Sequence, residues 1–136
     1  MRSRLLLCLV LVSAACQQSD PVSPDTLTGR WVERTMRQDT LSFNIDHTGS
    51  PLPDWLTVNR GKERNATGDL LPKIGSGIYS YQVQGNRIFV RSMLSSSSLS
   101  ADYAIDRKGD LLTVDNFFEL GFRQSPTATR TLVRLP

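Results

Sequence analysis

Apolar and polar residues alternate in short runs along most of this chain, and a period of two selects strands rather than helices. Residues 40–46, TLSFNID, put Leu41, Phe43 and Ile45 on one face and Ser42, Asn44 and Asp46 on the other. Residues 77–83 and 84–90, GIYSYQV and QGNRIFV, form a hairpin with Tyr79, Tyr81 and Val83 facing Ile88 and Val90 across a turn at Gly85 and Asn86. The same logic joins ADYAID to LLTVDN through RKGD, so that Ala101, Tyr103 and Ile105 share a face with Leu112 and Val114.

Further strands are expected at 28–34, more weakly around 55–60, and at 127–135, which brings the count to about eight. No stretch holds an apolar period of 3.6 over three turns. The expected fold class is therefore all-β, a small antiparallel up-and-down barrel, since closure removes the exposed edges of a meander. Residues 47–76 carry many Pro, Gly and charged residues and read as a long loop or lid.

The start of the chain is different. Residues 5–12 are eight apolar residues in a row, and as a helix they would cover about 12 Å of a ~30 Å bilayer core. With Arg2 and Arg4 before the run and Ser13, Ala14 and Ala15 after it, the expectation is an export signal at 1–15. LVSAAC, residues 11–16, resembles the lipobox of bacterial lipoproteins, although Ser13 stands where that family most often has Leu. The resemblance implies cleavage before Cys16 and acylation of its thiol and new amino terminus. Two or more chains anchor stably, at about 0.8 kcal/mol per buried CH₂. Gln17, rather than Asp, follows the cysteine, which in that family points to the outer membrane. The polar stretch from Cys16 to Asp25, with two prolines, is expected to be a flexible linker, and 26–136 one small domain.

Cleavage changes the chemistry available. Cys8 leaves with the signal and Cys16 takes lipid, so no thiol remains for a disulfide, a metal or catalysis. Of sixteen basic side chains Arg2 and Arg4 are lost, leaving fourteen against thirteen acidic ones and a formal charge of +1. That balance gives no reason to expect a nucleic-acid partner.

LTGRW at residues 27–31 resembles the Gly-x-Trp opening of lipocalins, and TRTLVRL near the end resembles their arginine-bearing last strand. The resemblance implies an eight-stranded barrel whose closed end is plugged by Trp31, with Arg130 or Arg134 stacked over the ring, a contribution of roughly 0.5–2 kcal/mol. The chain departs from that family in its shorter domain, in lacking its middle motif, and in showing no helix before the last strand.

Chemistry-bearing residues are sparse. His47 is the single histidine and sits in a turn, the carboxylates are dispersed, and no metal-ligand spacing appears. Ser95 to Ser98 read as a flexible loop, the sequon at Asn65 is discounted in a bacterial chain, and the charged GKER beginning at Gly61 reads as a surface loop. No catalytic residue, metal or cofactor is assigned, and no enzyme activity is expected. If the barrel is open at one end, Phe43, Trp55, Tyr79, Tyr81 and Tyr103 could line a pocket for a small hydrophobic ligand. If those rings fill it, the module is expected to act through loops such as Leu52 to Ile74, gripping another envelope protein or inhibiting an enzyme.

Overall fold

The computed structural model describes residues 18–96, 99–120 and 123–136; the leader and Cys16 lie outside the described residues. In chain order the elements are α1 (Pro24–Leu27), β1 (Gly29–Glu33), β2 (Thr40–Ile45), β3 (Pro51–Asn59), β4 (Lys62–Arg64), β5 (Leu70–Pro72), β6 (Gly77–Gln84), β7 (Arg87–Ser92), β8 (Ala101–Lys108), β9 (Leu111–Asp115), α2 (Phe117–Leu120) and β10 (Thr129–Arg134). Eight of the strands close an antiparallel barrel in the order β1-β10-β9-β8-β7-β6-β3-β2, while β4 and β5 pair only with each other. The path is thus an up-and-down meander with one small hairpin inserted between β3 and β6.

Both hairpins expected from the alternation form in register: Tyr81 pairs with Val90 and Val83 with Ile88, and Ile105 pairs with Val114. Gly85 adopts a φ of 59° in the first of these turns, a conformation glycine reaches without steric penalty. The strands place α1 and the short turns 46–50, 85–86 and 109–110 at one mouth of the barrel. The longer connections 34–39 and 60–76, with the described residues of those that follow β7 and β9, gather at the other.

At the α1 mouth Trp31 is fully buried, and its indole Nε1 donates to the Leu27 carbonyl at 2.7 Å. Arg134 is its direct partner across the closing β1–β10 pair. The guanidinium carbon lies 4.2 Å from the indole ring centroid, and the same group donates to the carbonyls of Thr28 and Thr26. Gly29 makes this possible: its φ is 121°, and a Cβ there would stand 3.2 Å from Arg134 Nη1. The Gly-x-Trp spacing therefore has a local physical reason, since the glycine gives the arginine room to cover the tryptophan. Arg130, on the same face of β10 but at the other mouth, binds Glu119 instead.

Four expectations need correction. Residues 47–76 are no single loop: Pro51–Asn59 is a full barrel strand and the charged segment after Gly61 is β4. A one-turn helix, α2, does precede the last strand; four residues are too few to show a helical period. The segment before residue 26 is docked from Asp20 onward, where the Asp20 N–H donates to the Arg107 carbonyl at 2.8 Å. Ser23 then caps α1 and Pro24 fills its first turn, both local signals that favour a helix start. Finally, Asn44 does not simply point outward. At a bulge in the β2–β3 pairing it takes a φ of 57°, which Asn tolerates better than most residues. Its amide donates to Pro24 O and Thr28 Oγ1, and its Oδ1 accepts from Tyr81.

Replacing Trp31 by Ala is expected to lower unfolding stability by about 3–5 kcal/mol, and Arg134 by Met by about 2 kcal/mol through loss of stacking and two charged hydrogen bonds. Urea denaturation measures both; a Trp31→Ala protein with an unchanged midpoint would contradict the plug.

Candidate functional site

Of the five rings expected to line a pocket, four meet inside the barrel. Phe43, Tyr79, Tyr81 and Tyr103 are each at most 5 % exposed. Trp55 is not with them. It precedes the inward Leu56 and Val58 on β3 and lies half-exposed on the outer wall opposite Ser80, because alternation gives the inward positions to Leu56 and Val58.

Two rings that the alternation did not reveal complete the interior. The single turn of α2 inserts Phe117 and Phe118, exposed by 1 % and 0 %. Phe117 stacks on Tyr103 at 4.7 Å and meets Tyr79 and Phe118 edge to face at 6.2 and 5.5 Å. Phe43 packs edge to face on Tyr81 at 5.2 Å. Eight strands enclose a space just wide enough for side chains to fill, and these rings occupy it from both mouths. The side chains that would have lined a pocket are in contact with one another.

Three pieces of chain are bolted together over the α2 mouth. The Arg60 guanidinium donates to Asp39 Oδ1 at 3.1 Å and to the carbonyls of Ile74 and Glu119 at 2.8 and 3.1 Å. Tyr79 donates its hydroxyl to Gly75 O at 2.7 Å. Gly75 passes so close to α2 that a Cβ would fall 1.9 Å from Phe118 O, and its φ of 84° also suits glycine. Glu119 accepts a two-pronged contact from Arg130 and a further bond from Asn116 at 3.0 Å. Beside this clamp lies an open cleft of about 490 Å³ lined by Glu33, Asp39, Arg60, Glu119 and Arg130 among others. Its charges are already paired or capped by neighbours, which makes it structural in character.

The loops of the same mouth also expose large apolar side chains. Met36, Leu70, Leu71, Ile74, Met93, Leu94 and Leu99 are between 48 % and 71 % exposed, and all seven belong to connections at the α2 mouth. Among the described residues, Leu111 is the one exposed large apolar residue at the other end. Single exposed leucines are ordinary, but a collection confined to one end is the usual mark of a contact surface. His47 sits in the exposed turn at the α1 mouth, where its carbonyl accepts from Arg30 at 2.8 Å. Among the described residues no three His, Cys, Asp or Glu side chains converge as metal ligands would.

Ionisation follows this packing. Burial pushes Tyr81 up to about 12, with help from Asp54 and Asp25. Burial likewise raises Tyr79 and Tyr103. Burial disfavours the Glu119 charge, yet Arg130, Asn116 and Arg60 together hold its carboxyl below the ordinary range. Glu33 follows the same pattern, with burial outweighed by N–H donation from Thr35, Met36 and Arg37.

Comparison with family models, with curated proteins and with solved structures finds no match to this chain.

Two pH measurements follow from the geometry. All three tyrosines are buried with raised pKa, so their stabilisation is complete below the unfolded value near 10 and is lost as pH rises through the folded values. An ultraviolet titration is expected to show tyrosinate appearing only above the range of free tyrosine and together with unfolding; three independent titrations at the ordinary value of 10.0 would contradict the filled interior. Glu119 is the opposite case: its contribution is present above about 4.5 and is lost as pH falls through the lowered folded value. Glu119→Gln is expected to cost about 1–2 kcal/mol at neutral pH and to flatten the acid limb of the stability curve.

Proposed function

We propose that this chain is a bacterial outer-membrane lipoprotein, tethered through acylated Cys16, whose solid barrel is a non-enzymatic interaction module. It grips another envelope protein through the apolar loops of the α2 mouth. One observation carries the reading: the rings that could have lined a ligand cavity pack against Phe117 and Phe118, while seven large apolar side chains are exposed in the loops around them. Apolar surface kept in water is unfavourable by roughly 25 cal/mol per Å², and contact with a partner would relieve it. The filled interior favours this reading over a carrier of small hydrophobic ligands. The lipid tether is supported by the order of features in the leader, a basic start, a short apolar run, a small pair and a cysteine.

Photo-crosslinking in the native envelope tests it. A crosslinker at Ile74, Leu94 or Leu99 is expected to capture one defined envelope protein, whereas one at Trp55 on the barrel wall captures none. With the purified pair, Leu94→Asp combined with Leu99→Asp is expected to weaken binding at least about tenfold, the loss of roughly 1.4 kcal/mol, without changing the melting curve. Equal capture from wall and rim would overturn the proposal, as would a hydrophobic molecule held by the detergent-free barrel in native mass spectra. Cys16→Ser is expected to release the folded protein from membranes.

A further inference from the structure

We infer that the docked N-terminal segment sets the direction in which the barrel stands: the α1 mouth, with the β8–β9 turn, faces the lipid headgroups and the apolar rim is held away from them. The inference rests on the lipid-anchor reading above. It starts from Asp20, which is held at both its main chain and its side chain. Its N–H donates to Arg107 O at 2.8 Å, its Oδ2 accepts from Gly109 N at 2.7 Å, and Arg107 Nη1 stands 3.5 Å from the same oxygen.

The hold does not depend on one residue. Val22 packs on the core, Ser23 and Thr26 form a reciprocal capping box, and Leu27 is fully buried. Asn44 binds the Pro24 carbonyl at the start of α1, and Arg134 binds those of Thr26 and Thr28 at its end. From Asp20 onward the segment that the sequence alone presents as a linker is therefore part of the barrel's base, and any leash is at most the residues between Cys16 and Asp20.

Lengths decide the consequence. Four residue steps reach at most about 14 Å. From Arg107 up to Ala101 along β8 is six steps, roughly 15 Å of height after strand tilt, and Met93, Leu94 and Leu99 stand beyond the strand ends. An inverted barrel would need a leash longer than its covalent limit. Had the chain been free to residue 25, its reach of roughly 30 Å would have allowed any orientation. Charge adds little at this base, where Lys108 is flanked by Asp106 and Asp110; the covalent geometry does the orienting. The rim that the proposed function uses is thereby turned toward partners rather than toward the protein's own membrane.

Mature acylated protein in phosphatidylethanolamine and phosphatidylglycerol vesicles carrying a headgroup nitroxide tests the orientation. A fluorophore on Lys108→Cys is expected to be quenched several-fold more strongly than one on Leu99→Cys. A flexible Gly–Ser insertion of about a dozen residues after Gln18 is expected to bring the two close to equality, and Asp20→Ala to narrow the difference. Equal quenching without the insertion, or stronger quenching at Leu99, would overturn the inference while leaving the tether in place. Protein that fails to float with the vesicles would remove the tether itself, and the inference with it.

Discussion

Closure of the sheet between β1 and β10 is the constraint on which everything else here depends. Once Trp31 pairs with Arg134 across that seam, no edge is left in the barrel, and every inward side chain must share one small volume. In an eight-stranded barrel that volume is set by strand number and tilt, so each added ring removes space from a potential guest. Phe43 and Tyr81 occupy one part, Tyr79 and Tyr103 another, and Phe117 and Phe118 enter from the α2 mouth. An interior committed to its own side chains leaves only outer surfaces for the proposed recognition.

The two mouths are built by different means. At the α1 mouth the closing contacts are apolar at heart: Leu27, Trp31 and, from β10, a guanidinium lying over the indole. At the α2 mouth, distant segments converge on one polar hub, with Arg60 joining residues 39, 74 and 119. Polar clamps between loops exchange with water more readily than a buried aromatic stack, and loops of this kind open first when a fold fluctuates. The end with the exposed apolar residues is therefore also the one best able to adapt to a partner, while the base stays fixed.

Most of the barrel was legible because alternation and turn chemistry agree in β2, β6, β7, β8 and β9. The base was partly legible: Gly29 and Trp31 stand out, but Arg130 and Arg134 share one face of β10, and only the register places the second over the indole. Trp55 lies outside because Leu56 and Val58 hold the inward parity of β3, and the weak alternation of residues 55–60 does not reveal which parity that is. Phe117 and Phe118 escaped because adjacent aromatics after LLTVDN look like more strand, and one helical turn has no period to detect. Asn44 escaped because a left-handed bulge reverses a strand's facing without leaving a mark in the hydrophobic pattern. Docking of Asp20 depends on a carbonyl and an N–H far along the chain, which no local composition reveals.

The central claim is that the interior is filled and recognition happens outside. Aromatic and methyl resonances of the soluble domain, followed by NMR during titration with a medium-chain fatty acid, test it most directly. A filled barrel leaves the ring signals of Phe117, Tyr79 and Tyr103 unmoved, with any change confined to rim methyls such as those of Met36 and Met93. Saturable shifts of the Phe117 and Tyr103 rings would show a guest among them and contradict the account.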